Sequence, residues 1–211
     1  MAASRAEPND ATPFVPDGRS LKALREAAAA CRGCHLWRGA TQTVFGAGQR
    51  KARAMFVGEQ PGDQEDRQGR PFVGPAGREL DRALEAVGID RQDVYITNVV
   101  KHFKFEERGR RRIHQTPKRF EIDACRPWLE GELELVEPEA LVLLGATAAK
   151  GLLGSGFRIT KERGRPIDSE LAPLVTATLH PSAILRGPPE ERAAGRQAIA
   201  DDLRLVARAL G

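Results

Sequence analysis

The chain has 211 residues, 41% hydrophobic and 29% charged, which is enough for one sizeable core and too few for several. Its formal net charge of +4 and sequence pI of about 9.2 permit a polyanionic partner without requiring one. No apolar run approaches the ~20 residues of a membrane span, and residues 1–17 lack the apolar centre of a signal peptide, so a cytoplasmic protein with no membrane partner is expected.

Residues 1–17 are rich in Ala, Pro, Asp and Glu with little to bury, and read as a disordered tail ahead of a single domain over 18–211. Cys31-Arg32-Gly33-Cys34 then forms a C-x-x-C pair. The run 53–57 is short, apolar and β-branched, as a strand covered on both faces is, and 93–97, 140–144 and 174–179 repeat that character. Helical patterns separate and follow them. Over 75–87, Leu80, Leu84 and Val87 recur on one side, with Pro75 at a tolerated first-turn position; 119–136, 146–153 and 190–210 read likewise. Alternating strand and helix predicts an α/β fold, a parallel sheet between two helical layers.

Ligands of such sheets bind at the carboxyl ends of the strands, where this chain is notably polar. Glu59, Gln60, Gly62 and Glu65 follow the first strand, Asn98 the second, Gly145-Ala146-Thr147 the third and His180-Pro181-Ser182 the fourth. Between the second and third strands lies Gly109-Arg110-Arg111-Arg112-Ile113-His114-Gln115-Thr116-Pro117, read as a basic loop that meets phosphate through arginine forks and carries one titratable imidazole. Cys125 lies far from the C-x-x-C pair, and His102 ends the segment Val99-Val100-Lys101-His102. Together Cys31, Cys34, His102 and Cys125 suit a metal or cluster better than a disulfide. Spacing alone leaves a Cys3His zinc site and an iron-sulfur cluster equally open.

Four ordered segments carry a resemblance: Gly58-Glu59-x-Pro61-Gly62, Pro71-Phe72-Val73-Gly74-Pro75-Ala76-Gly77, Thr97-Asn98-Val99-Val100-Lys101 and His180-Pro181-Ser182-x-x-Leu185-Arg186. They are similar to the motifs of the family 4 uracil-DNA glycosylases. The resemblance implies a three-layer α/β/α sandwich on a four-stranded parallel sheet, with a 4Fe-4S cluster. His102 stands where that family has its remaining cysteine, the loop after it is longer and arginine-rich, and Gln60 replaces a small residue. These departures resemble the uracil-DNA glycosylase X group, in which the matching loop histidine bonds covalently to the deoxyribose once uracil has left.

The resemblance implies roles that the chemistry makes sensible. Phe72 offers a stacking face to a flipped uracil, and the Asn98 amide complements its O4 and N3–H while mismatching cytosine. Glu65 would crowd the C5 edge against thymine, with Gln60 and the Gly62 amide completing the grip. His180 would donate to O2 as charge develops there, a contribution of roughly 3 kcal/mol. Glu59 would stabilise the sugar oxocarbenium, and neutral His114, among arginines that disfavour its imidazolium, would attack C1′. Arg110, Arg111, Arg112 and Arg186 would meet phosphates, which position a strand without reading it. The implied partner is uracil-containing DNA, in the first instance single-stranded, with free uracil as product and the protein acting as a monomer. Two alternatives are an ordinary family 4 enzyme with turnover and no adduct, and a non-enzymatic nucleic-acid-binding module built on a Cys3His metal.

Overall fold

The computed structural model describes residues 9–17 and 20–211. In chain order α1 (Leu21–Ala28) leads to β1 (Ala54–Gly58), α2 (Asp63–Gln68), α3 (Pro75–Ala86) and β2 (Val94–Asn98). The pair β3 (Phe105–Arg108) and β4 (Arg111–His114) precedes α4 (Arg119–Val136), β5 (Ala140–Leu144), α5 (Gly145–Leu153) and α6 (Ile159–Glu162). The chain closes with β6 (Leu174–Thr178), α7 (Ser182–Arg186) and α8 (Pro189–Leu210).

The central sheet has four parallel strands in the order β2-β1-β5-β6. The expected strands lie within a residue of these bounds because each is an apolar run covered on both sides, the one pattern that a parallel sheet imposes on sequence. One face packs on α1, α4 and α5 through residues such as Leu24, Trp128, Leu129 and Ala148. The other packs on α3, α7 and α8 through Leu80, Leu84, Ile184, Ile199 and Leu203. The result is the three-layer α/β/α sandwich. The strand order reverses between β1 and β5, so a crevice opens at their carboxyl ends, where such folds bind ligands.

The structure differs from the sequence reading in two places. Part of the expected disordered tail, residues 1–8, lies outside the described residues, but 10–15 are docked. The Ala11 amide donates to the Ala124 carbonyl at 2.8 Å, Ala11 is buried, and Thr12–Phe14 forms a 3-10 turn whose first amide donates to Asp10 Oδ1. A small buried alanine and a self-capping aspartate anchor a segment that composition alone reads as unable to fold. The basic segment, expected as a loop, is an antiparallel hairpin in which Phe105 pairs with His114 and Arg108 with Arg111. Gly109, at φ 60°, begins its two-residue turn, as a type II′ hairpin requires. Among the described residues no helix is long and apolar enough to cross a membrane.

Candidate active site

A cavity of about 610 Å3 opens at the carboxyl edge of the sheet, between the β1 and β5 ends. Glu59, Gln60, Gly62, Glu65, Phe72, Asn98, His114, His180 and Arg186 all contribute to its wall, although they come from well-separated stretches of chain. The four segments singled out in the sequence therefore converge on one place.

Phe72 and Asn98 form the floor. Phe72 is buried, with its ring 5.8 Å from that of His180, and sits at φ 53°, a strained conformation for a side chain of its size. Gly77 makes that conformation possible: a Cβ there would lie 1.9 Å from the Phe72 carbonyl oxygen. Asn98 ends β2, is 1% exposed, and keeps its Oδ1 buried with no hydrogen-bond partner. An unsatisfied buried amide oxygen in a cavity wall is a costly feature that a ligand donor would relieve.

His180 is set as a neutral donor. The Ser182 amide donates to Nδ1 at 3.2 Å and the Ser182 hydroxyl lies 2.8 Å from the same nitrogen, so the ring proton sits on Nε2. Burial, with the charges of Arg186 and His114, presses the pKa of His180 down to about 4. A neutral imidazole thus presents an N–H to the cavity at ordinary pH.

Glu65 and Gly62 hold each other. Glu65 Oε2 accepts from the Gly62 amide at 3.1 Å and Oε1 from the Gly74 amide at 2.7 Å, so one carboxylate ties the turn after β1 to the start of α3. The Gly62 amide, expected to grip a ligand, is already engaged. Gln60 is likewise a brace. Its amide nitrogen donates to the carbonyls of Lys104 (3.2 Å) and Gln115 (3.0 Å), and its oxygen accepts from the Lys104 amide (3.0 Å), stitching the base of the hairpin to the end of β1.

The hairpin brings His114 over the cavity. Its Nε2 stands 3.3 Å from Glu59 Oε1, close enough for an ion pair but not aligned as a hydrogen bond, and that oxygen is otherwise buried and unpartnered. The imidazole also faces the Phe103 ring at 6.1 Å. Arg110 and Arg111 are exposed, as is Arg186 on the opposite rim. Arg112 turns inward instead. Its guanidinium contacts Asp63 at 2.5 Å and Asp66 at 2.6 Å and lies over the rings of Phe103 and Phe105 at 5.4 and 5.0 Å. Arg112 therefore clamps the hairpin to α2, which corrects the expectation of a third phosphate contact. The Asp63-x-x-Asp66 spacing sets both carboxylates on one helical face, although the sequence does not mark Arg112 as their partner.

The residues expected to hold a metal group lie away from the cavity, behind β2. Cys31, Cys125 and His102 are buried, and the three thiols are close enough to influence one another's ionisation. Burial pushes the Cys125 thiol up to about 12, with Lys101 acting in the opposite direction. Trp128 Nε1 donates to Cys31 Sγ and the Lys101 amide to Cys125 Sγ, each at 3.2 Å, the N–H···S contacts that tune cluster sulfurs. His102 adds a clear test. Thr43 Oγ1 donates to the Ala28 carbonyl, so its contact with His102 Nε2 at 2.9 Å must be a donation from the ring, leaving Nδ1 as a bare lone pair. That Nδ1 is buried without a partner, and a ligating histidine has this arrangement, one ring nitrogen held and the other free. Among the described residues no three His, Cys, Asp or Glu side chains converge as a single ion demands.

The comparisons with known proteins agree with this geometry. The model of the uracil DNA glycosylase superfamily matches residues 45–204. A type-4 uracil-DNA glycosylase of Thermotoga maritima is 41% identical over 167 residues, spanning 79% of this chain and 83% of that protein. Enzymes of the same description from Sulfurisphaera tokodaii (39% over 177 residues; 80% and 77%) and Pyrobaculum aerophilum (38% over 175; 80% and 86%) are similar to a like extent.

Proposed function

The chain belongs to the uracil-DNA glycosylase superfamily, and from that premise we propose that it excises uracil from DNA and captures the resulting sugar covalently through His114, as the uracil-DNA glycosylase X group does. The observation that carries the second half is the pairing of His114 Nε2 with an otherwise unpartnered Glu59 oxygen at the cavity wall.

The chemistry follows from the residues. A uracil turned out of the strand stacks on Phe72, and Asn98 Oδ1 accepts its N3–H while the amide NH2 donates to O4. Cytosine offers the reverse pattern at those positions. As the C1′–N1 bond breaks, uracil departs with the bonding pair, and Nε2–H of His180 supports the charge gathering at O2. The Glu59 carboxylate supports the complementary positive charge on the sugar. A lone pair of the His114 imidazole then forms the new bond to C1′, and the alkylated ring gives its remaining N–H proton to solvent. Held by the hairpin, that nitrogen has an effective concentration that free water does not match. Glu65 lines the wall where a 5-methyl group would collide, and Arg110, Arg111 and Arg186 meet phosphates.

Cys31, Cys34, His102 and Cys125 would hold a 4Fe-4S cluster. When bound, such a cluster supplies cross-linking between the Cys31 turn, the end of β2 and α4, and it takes no part in a cleavage that transfers no electrons. The protein acts as a monomer on single-stranded DNA.

Denaturing electrophoresis after incubation with a uracil-containing oligonucleotide, followed by peptide mapping, tests substrate, reaction and nucleophile together. A denaturant-resistant species mapping to His114 is expected, and His114→Ser should release uracil and leave no adduct. Persistence of the adduct in that variant sinks the assignment. Glu59→Gln should suppress release and adduct together. Protein purified without oxygen should be brown, and Cys125→Ser should remove the colour.

A further inference from the structure

Outside the cavity, one surface feature remains without a role. Among the described residues Phe120 and Ile113 are the large hydrophobic side chains left exposed, and Phe120 is the more open at 56%. It is not isolated. Its ring lies 6.0 Å from that of His35 at an interplanar angle of 31°, and the His35 side chain is itself half exposed. Two flat rings thus form a continuous open ledge at the start of α4. A second aromatic follows on the same 3-10 turn (His35–Arg38), where Trp37 lies under the guanidinium groups of Arg32 and Arg38 at 4.9 and 5.7 Å.

The ledge adjoins the cavity through direct contacts. Lys104 Nζ reaches the carbonyl of Thr116, a cavity-lining residue, at 3.3 Å and Glu121 Oε2 at 2.8 Å. The other oxygen of Glu121 stands 3.2 Å from His35 Nε2. Two side chains therefore separate the cavity rim from the His35 ring. The surroundings are basic: Arg32, Lys118 and Arg119 are exposed, while the nearest carboxylates, Glu121 and Asp123, already face cations.

We propose that the His35 and Phe120 rings form a stacking platform for an unpaired base of the same strand, a few nucleotides from the uracil. The proposal rests on the uracil-DNA reading above. On a strand whose uracil is buried beneath His114, nucleotides that pass the rim at Thr116 come within two side chains of this pair of rings. Exposed aromatics bordered by Lys and Arg are the chemistry by which proteins hold single strands without reading their sequence, because each base offers a π-face and each phosphate a charge. It also supplies a reason for a single-strand preference, since a base paired in duplex could not lie on the ledge.

The test is a spacer scan. Each base flanking the uracil is replaced in turn by an abasic spacer, and uracil release is measured in single-turnover reactions at subsaturating protein. Binding of the matching uracil-free strands is followed in parallel by fluorescence anisotropy. One spacer position should lower uracil release about ten-fold for the natural chain, the size of one lost stack, and Phe120→Ala should weaken binding of the uracil-free strand by a similar factor. Phe120→Ala should show that loss on the intact strand and be indifferent to that spacer, while Phe120→Trp should restore the natural pattern. The platform is overturned if Phe120→Ala responds to the spacers as the natural chain does, or handles the intact strand equally well. Failure of the functional reading looks different: no strand would release uracil, and anisotropy would still decide the ledge.

Discussion

Single residues carry the site's chemistry because their neighbours leave them one state. His180 is the clearest case, since the Ser182 amide fixes its tautomer and burial, with Arg186 and His114, holds its pKa near 4. A free imidazole titrates at about 6.5, so the unfolded chain takes up this proton first as pH falls. The contribution of His180 to stability is therefore complete above about pH 6.5, declines by up to about 1.4 kcal/mol per unit below it, and levels off below about 4. Thermal unfolding followed between about pH 7 and 5 should show that slope, and His180→Gln should make it shallower while leaving the part due to buried His102, whose pKa is also lowered to about 4; an equal slope in the variant would separate the imidazole from the effect. Gly77 acts at the same scale through what it lacks. In Gly77→Ala the new methyl meets the Phe72 carbonyl, so the stacking ring must leave its strained position. We expect a stability loss of about 1–3 kcal/mol in urea denaturation and a fall of at least about ten-fold in uracil release. Unchanged release would show that Phe72 does not need its φ 53° conformation.

At the scale of elements, the hairpin sets where His114 stands over the cavity. Arg112 fastens β4 to α2 through Asp63 and Asp66, and Gln60 fastens the hairpin's base, so His114 is positioned by two clamps. Arg112→Gln should loosen delivery of the nucleophile while leaving Asn98, Phe72 and His180 in place. The expected outcome is a shift in products: more free uracil per adduct, with adduct formation slowed about ten-fold or more and release reduced less, as a gel and a uracil assay on one reaction would show. Equal slowing of both would make the clamp a support for the whole site. The parallel strands were legible in sequence because double burial leaves an apolar run, but β3 and β4 were not. Phe105–Arg108 and Arg111–His114 are mostly charged and solvent-facing, so neither alternation nor an apolar run marks them; ladder bonds, Gly109 and the inward turn of Arg112 hold them. The same limit applies to the site. Its polar residues could be placed on one edge from strand order, whereas the engagement of Gly62 by Glu65 and of Arg112 by two aspartates depends on contacts between segments that sequence spacing does not rank.

Across the whole molecule, Lys101 joins Cys125, the end of β2 and α4. Its ammonium is fully buried against Glu132 and also donates to Thr97 Oγ1 and to the carbonyl of Asn98 at 2.8 Å, while its amide donates to Cys125. Glu132 in turn accepts from the Tyr95 hydroxyl and the Gly46 amide, so α4, β2 and the segment before β1 meet at one ion pair. Removing one partner strands a charge in the core. Lys101→Met should therefore cost about 3–5 kcal/mol, much more than the lost attraction is worth. For a chain of this length each kcal/mol lowers the melting temperature by about 2–4 °C. Replacing both partners with apolar residues, Lys101→Met with Glu132→Leu, removes the stranded charge and should recover a large part of the stability. Recovery of function should lag behind. The double variant still lacks the bond that holds the Asn98 carbonyl, so its preference for uracil over cytosine should fall even where its melting temperature returns. If discrimination returns together with stability, the pair is a packing device, and Asn98 is placed by the sheet alone.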